Sequence, residues 1–156
     1  MRRTDYLDDP HAPQINSIVP SASTIARNSA GKLLLQRRRD TGFWALPGGA
    51  MEIGETIGAT ALRETKEETG FDVEIEYMVG IYTNPYHVVE FSNGEVRQQF
   101  SVCFACRIVG GELRVSHEST EVGFFSPEEI EHLHMHPSIR LRIQHFLEQR
   151  SQPYIG

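Results

Sequence analysis

Sulfur, tryptophan and long apolar runs are all scarce in this chain. It has two cysteines and one tryptophan among 156 residues. No hydrophobic stretch approaches the roughly 18 residues that a membrane span requires. So few cysteines exclude a disulfide scaffold and fit a reducing compartment. The opening segment MRRTDYLDDPHAP has two arginines but no apolar stretch behind them. It does not read as a secretory signal, and a cytoplasmic protein without membrane contact is expected. Positive charge is also in short supply: 15 Lys and Arg face 21 Asp and Glu, a net charge of −6. That balance argues against a sequence-independent grip on nucleic acid, which depends on neutralising backbone phosphates. A small phosphorylated ligand is compatible with it, because a divalent ion can bridge phosphates to acidic side chains. Internal repeats and low-complexity tracts are absent.

The rest of the composition, 39% hydrophobic and 23% charged, is that of one globular domain with an ordinary core. Residues 1–14 contain Asp5, Asp8, Asp9, Pro10 and Pro13 and read as an extended arm outside any periodic pattern. Residues 15–150 form the domain and 151–156 a tail. Ile18 to Ala26 and Lys32 to Arg37 read as strands joined by the hairpin-type turn Asn28-Ser29-Ala30-Gly31. Phe43 to Leu46 is a short apolar piece ended by Pro47-Gly48-Gly49. Thr56 to Thr69 has helical periodicity with Gly70 as its stop, although Gly58 inside it costs about 1 kcal/mol relative to alanine. Val73 to Tyr82 and Gln98 to Val109 read as strands separated by a loop containing Pro85 and Ser92-Asn93-Gly94. Glu121 to Phe125 is a short strand, Ser126-Pro127-Glu128-Glu129 caps a helix, and Pro137 to Gln149 is a last amphipathic helix. This order predicts an α/β protein with a mixed sheet covered by helices.

Against this ordinary background one stretch stands out. Between Gly49 and Phe71, a glycine turn precedes a helix on which Glu64, Glu67 and Glu68 fall within one turn. Steps of three and four residues return to nearly the same helix face, so the three carboxylates repel unless a cation joins them. A merely solvated acidic face is the alternative, since exposed repulsion costs only a few tenths of a kcal/mol. Glutamate oxygens are hard ligands that suit Mg²⁺ or Mn²⁺ bound together with substrate phosphates. Zinc fits poorly, because no His or Cys stands among these positions at ligand spacing. Arg63 lies four residues before Glu67, where it can orient that carboxylate or neutralise part of the cluster.

The stretch resembles the signature box of the Nudix hydrolase family: G, five residues, E, seven residues, R-E-U-x-E-E-x-G-U. Here it reads Gly49, Glu55, Arg63, Glu64, Glu67, Glu68 and Gly70, a match at all seven fixed positions. Thr65 replaces a preferred aliphatic residue, and Phe71 fills the closing apolar position. Flanking segments QRRRD, WALPGG and EVGFFSPEEI extend the resemblance over most of the chain. The resemblance implies an α/β/α sandwich with a mixed β-sheet between helices. It also implies Mg²⁺-dependent cleavage of a pyrophosphate linked to another moiety, with Mn²⁺ as a possible substitute. By similarity, Glu64, Glu67 and Glu68 hold the metal, the Gly49 carbonyl is a further ligand, and Glu55 completes or supports the set. Relatives place the general base either in the box or on a loop before the last strand. Glu118 and Glu121 are the loop candidates, and Glu118 is preferred because it lies in the less regular segment.

The resemblance also suggests that one of Arg37, Arg38 and Arg39 touches a substrate phosphate, with alternation setting Arg37 and Arg39 on one side. Trp44 reads as core rather than as a base-stacking residue. Cys103 and Cys106 would point to opposite faces of a strand, as buried structural thiols. His132, His134 and His136 read as a surface stretch without partner ligands. The arm has two readings, disorder or a crossing to a second copy in a homodimer. Pro85 and Tyr86 resemble markers of different substrate classes and do not agree. ADP-ribose or a similar nucleotide sugar is favoured as substrate, ahead of nucleoside triphosphates including oxidised ones. A catalytically silent nucleotide-binding module is the contrasting reading, one that intact box glutamates disfavour.

Overall fold

The computed structural model describes residues 2–156. Its centre is a parallel pair, β2 (Ser17–Arg27) and β8 (Val96–Gly111), in unbroken register from Ser17↔Arg97 to Arg27↔Arg107. β6 (Phe71–Tyr82) runs antiparallel to the later part of β8, while β7 (His87–Phe91) pairs with its beginning. β3 (Leu33–Arg38) and β9 (Ser119–Phe125) pair antiparallel, and the short β4 (Trp44–Ala45) lies on β3. β5 (Gly48–Ala50) lies against β2. Parallel and antiparallel pairs together make the mixed sheet that the sequence predicts.

Helices cover both faces. α1 (Ile57–Thr69) buries Ala61 against Ala22, Leu34 and Phe104 on one side. α2 (Pro127–Ile130) and α3 (Pro137–Leu147) bury Ile130 and Ile143 with Ile25, Leu35 and Val79 on the other. Cys103 falls in the second cluster and Cys106 in the first, so the two thiols do face opposite ways. Trp44 is buried, with its ring edge-on to Phe125 at 4.8 Å. No helix among the described residues is long and apolar enough to cross a membrane.

The stretch between Tyr82 and Gln98, read as a loop, contains β7. Two turns bracket only five residues there, and their stability comes from non-local pairing with β8 and with the arm, which a local pattern cannot display. The arm itself supplies β1 (Arg3–Leu7), an edge strand antiparallel to β7 with Thr4↔Glu90 and Leu7↔His87. The last residues likewise form β10 (Tyr154–Ile155), parallel to β6.

Local chemistry fixes α1, the helix that matters for function. Thr56 caps it by accepting from Ala59 N, and Gly70 ends it at φ +82°, where an added Cβ would lie 2.0 Å from Glu112 O. Thr65, the departure from the family pattern, is wholly buried. Its hydroxyl bonds Thr24 Oγ1 and Ala61 O, both at 2.8 Å, so the polar substitution leaves nothing unsatisfied.

Candidate active site

Arg63 organises the acidic helix. Its Nε and Nη2 hold both oxygens of Glu55 at 2.6 and 3.0 Å. Nη1 reaches Glu64 at 2.9 Å and Glu67 at 3.2 Å, and Nη2 also donates to Ala50 O. One guanidinium thus ties the turn before α1 to two of the three helix carboxylates. Arg63, first among several donors, draws the Glu55 carboxyl down to about 2. With both oxygens committed to this fork and Thr60 bonding one of them, Glu55 braces the site and does not line its mouth.

Glu68 is bound differently. It is 6% exposed, and its Oε2 accepts from Gly48 N and Gln36 Nε2, each at 2.8 Å, which leaves Oε1 without a protein partner. Gln36 in turn accepts from Ser119 Oγ, so a buried chain of bonds runs from the start of β9 to the acidic helix. Burial raises Glu68 to about 8. The Gly48 bond opposes that shift, and Glu64 and Glu118 add to it. Glu64 is also raised, chiefly by burial, against the pull of Arg63.

Gly49 faces this cluster. A Cβ there would lie 2.5 Å from Glu64 Cδ, so only glycine leaves the space between its backbone and that carboxylate open. Glu64, Glu67, Glu68 and Glu118 line one cavity of about 700 Å³ together with Gly49. This all-oxygen set, with a buried carboxylate that has no ion-pair partner, fits a hard divalent cation. Glu118 sits at the cluster because Arg39 donates to the carbonyls of His117 and Ser119, and Arg39 N to that of Glu118. Glu121 lies elsewhere, on β9 opposite Arg37, with which it pairs at 3.4 Å.

The basic run is placed differently from the reading of Arg37 and Arg39 as phosphate contacts. Neither lines the carboxylate cavity: Arg37 donates to Gly42 O and pairs with Glu121, and Arg39 is spent on the carbonyls of His117 and Ser119. Arg38 shares the cleft face with Gln36, and an irregularity in register between Arg37 and Arg38 lets it pair with Ser119. Arg38 and Arg3 line both the carboxylate cavity and a second one of about 450 Å³, which also shares Gly48 and Gly49. Each arginine is held bidentately, by Asp40 and Asp5 respectively. Sequence reasoning missed Arg3, Gln36 and Ser119, and it named Arg38 only as one of three arginines while alternation favoured its two neighbours. Only the parity of Gln36 and Arg38 on one strand carried any signal.

The histidine stretch is also corrected at one position. His132 and His134 are exposed, whereas His136 is half-buried and caps α3 by accepting from Ser138 N. It stacks on His87 at 4.7 Å, beside Asp5. Burial, with the nearby His87, holds it down to about 4.

These two shifts set a pH dependence. Glu68 titrates higher in the folded protein than its ordinary 4.5, so the stability it contributes is complete below that value and is lost as pH rises through about 8. His136 acts oppositely: its contribution is present above 6.5 and lost as pH falls toward 4. Above pH 6.5 the Glu68 effect stands clear. Chelator-treated protein should therefore become less stable from pH 6.5 to 8, by at most about 1.4 kcal/mol per pH unit. Urea unfolding measures this slope, and a saturating divalent cation should remove it.

Comparison with known proteins points the same way. The NUDIX domain profile matches residues 18–146. A MutT-like protein of Streptomyces ambofaciens is 34% identical over 128 residues, covering 80% of this chain and 75% of that protein. An ADP-ribose pyrophosphatase of Methanocaldococcus jannaschii is 36% identical over 97 residues, which is 60% of this chain; the match spans about half (54%) of that relative's length. A solved NUDIX hydrolase from Nitrosomonas europaea superposes with a TM-score of 0.72 at 26% identity, covering 94% of this chain and 82% of that one.

Proposed function

Because the chain belongs to the Nudix hydrolase family, we propose that it is a Mg²⁺-dependent pyrophosphohydrolase cleaving a nucleoside diphosphate derivative, with ADP-ribose or a similar nucleotide sugar as the favoured substrate. The observation that carries this reading is the meeting of Glu64, Glu67, Glu68 and Glu118 at one mouth of a cleft whose continuation is lined by Arg3 and Arg38. Glu64, Glu67 and Glu68, with the Gly49 carbonyl, would hold the metal. When bound, a divalent ion neutralises pyrophosphate charge and lowers the pKa of a coordinated water. Arg38 and Arg3 present guanidinium groups to the non-bridging phosphate oxygens. Glu118, on a loop pinned by Arg39, takes the proton of the attacking water as its oxygen bonds phosphorus and the bridging P–O bond breaks. The products are two phosphate monoesters. The second cavity receives the remainder of the substrate.

A panel of nucleoside diphosphate derivatives and triphosphates, incubated with Mg²⁺ and with products identified, tests this reading. Release of AMP and ribose 5-phosphate from ADP-ribose is expected. Preferential release of pyrophosphate from triphosphates, oxidised ones included, would reassign the substrate. Nucleotide binding without any cleavage would make the chain a silent binding module. Within the active case, Glu118→Gln should lower kcat by about 10²–10⁴ with little change in KM, while Glu121→Gln stays near wild type.

A further inference from the structure

Among the described residues, two buried side-chain polar atoms have no hydrogen-bond partner, Arg142 Nε and Ser23 Oγ, and both residues line the 450 Å³ cavity. Arg142 is 4% exposed on the inner face of α3, yet no carboxylate stands within ion-pair distance of it. Its charged and titratable surroundings are the Cys103 thiol, the Tyr82 phenol, the cationic Arg3 and the His136 imidazole. The Tyr82 ring lies 5.1 Å from the guanidinium carbon, and cation–π attraction offsets only part of the cost of burial. Arg140, two residues earlier on the same helix, shows the usual solution: it donates to the carbonyls of Ile130 and Leu133. Ser23 has only the weakly bonding thiol of Cys103 beside it. A buried, uncompensated guanidinium and an idle hydroxyl on one cavity wall describe half of an ion pair.

We propose that Arg142 binds a second anionic group of the substrate, a phosphate ester or carboxylate separate from the scissile pyrophosphate, with Ser23 donating a hydrogen bond to it; among nucleotide sugars this favours an acidic one over ADP-ribose itself, which carries no such group. The inference rests on the pyrophosphohydrolase reading for the word substrate and on the cavity alone for the anion. Arg142 does not line the carboxylate cavity, so its charge serves the far moiety and not the bond that breaks. Arg3, whose carboxylate partner is Asp5, adds a second cation to the same wall. Asp5, His87 and His136 bring three ligand-type atoms within 4.8 Å of one another in this wall. A cation is nonetheless a poor occupant: the imidazoles stack face to face, His136 Nδ1 is spent on capping α3, and two arginines adjoin the trio. The positive wall selects an anion.

Two matched pairs of probes separate the sources of that anion. UDP-glucuronate and UDP-glucose differ by a carboxylate on the sugar, and NADPH and NADH by a phosphate on the nucleoside. Wild-type protein should favour the anionic member of at least one pair by 10-fold or more in kcat/KM. Arg142→Met should bring that ratio close to 1, and Arg142→Lys should keep part of it. Independently of hydrolysis, millimolar inorganic phosphate with chelator present should raise the melting temperature of the wild type, and this shift should be at least halved in Arg142→Met. The ligand-free Met variant should melt no lower than wild type, because an unpaired buried charge has been removed. Equal handling of both pairs by the wild type, an unchanged phosphate shift in the Met variant, or a Met variant that melts well below wild type would each overturn the assignment. If no pyrophosphate is cleaved at all, the hydrolase reading fails alone and the phosphate measurement still decides the role of Arg142.

Discussion

Replacing Glu68 by glutamine is expected to lower turnover by about 10³-fold or more while the protein folds and, without metal, gains stability at pH 8. The two expectations have one cause. In the folded protein Glu68 is a buried carboxylate with donors only on Oε2, so its other oxygen is available to a cation and its negative charge is costly without one. Glutamine keeps the shape and an oxygen able to accept from Gly48 N and Gln36 Nε2, so the chain of bonds through Gln36 to Ser119 survives. What it loses is the charge and the anionic ligand atom, and with it several kcal/mol of metal-assisted stabilisation of phosphoryl charge. The measurements are kcat with saturating Mg²⁺, circular dichroism, and urea unfolding at pH 8 with chelator. The slope of stability between pH 6.5 and 8 should vanish in this variant. Near-normal hydrolysis by folded Glu68→Gln would remove Glu68 from the metal site.

The different visibility of these groups in the sequence follows from how each is held. Glu55, Arg63, Glu64, Glu67 and Glu68 lie on one helix and the turn before it, where residue spacing alone determines geometry. They were legible for that reason, and the helix-covered mixed sheet was legible from the order of β-branched runs and helical segments. Gln36, Ser119 and Arg38 reach the site through pairing of β3 with β9, and nothing local to either strand says which face turns toward α1. The arm was opaque for a related reason. Arg3 arrives in the cleft only because β1 pairs with β7, a five-residue strand that itself depends on β8. Arg142 is the extreme case: its helix was readable and its burial was not, because an arginine on an amphipathic helix is ordinarily assigned to the solvent side. What made it visible was the absence of a partner, a property of the folded interior alone.

Removing Arg63 is expected to have the second largest effect, because its guanidinium is spent on holding the carboxylates. Its five hydrogen bonds join Glu55, Glu64, Glu67 and the Ala50 carbonyl, and the Glu64 carboxylate it fixes is the one that faces Gly49 across a gap too small for a Cβ. Arg63→Met keeps the aliphatic stem and deletes the fork. Three carboxylates are then left without their shared cation, and Glu64 is free to leave the rotamer that aims it at Gly49. Loss of such bracing costs about 10–100-fold in metal affinity, and misplacement of reacting groups by about 1 Å costs a further factor of about 10² in turnover. Raising the Mg²⁺ concentration should recover the first loss and not the second, so kcat at saturating metal remains depressed while the metal requirement returns toward normal. The melting temperature should fall by several degrees in chelator and by less with metal present. Arg63→Lys distinguishes charge from geometry. A lysine ammonium can neutralise one carboxylate but cannot hold Glu55 with two parallel bonds while donating to Glu64 and Glu67. Its kcat should stay within a few-fold of the Met variant, and wild-type turnover by Arg63→Lys would show that positive charge alone, and not the fork, sets the site.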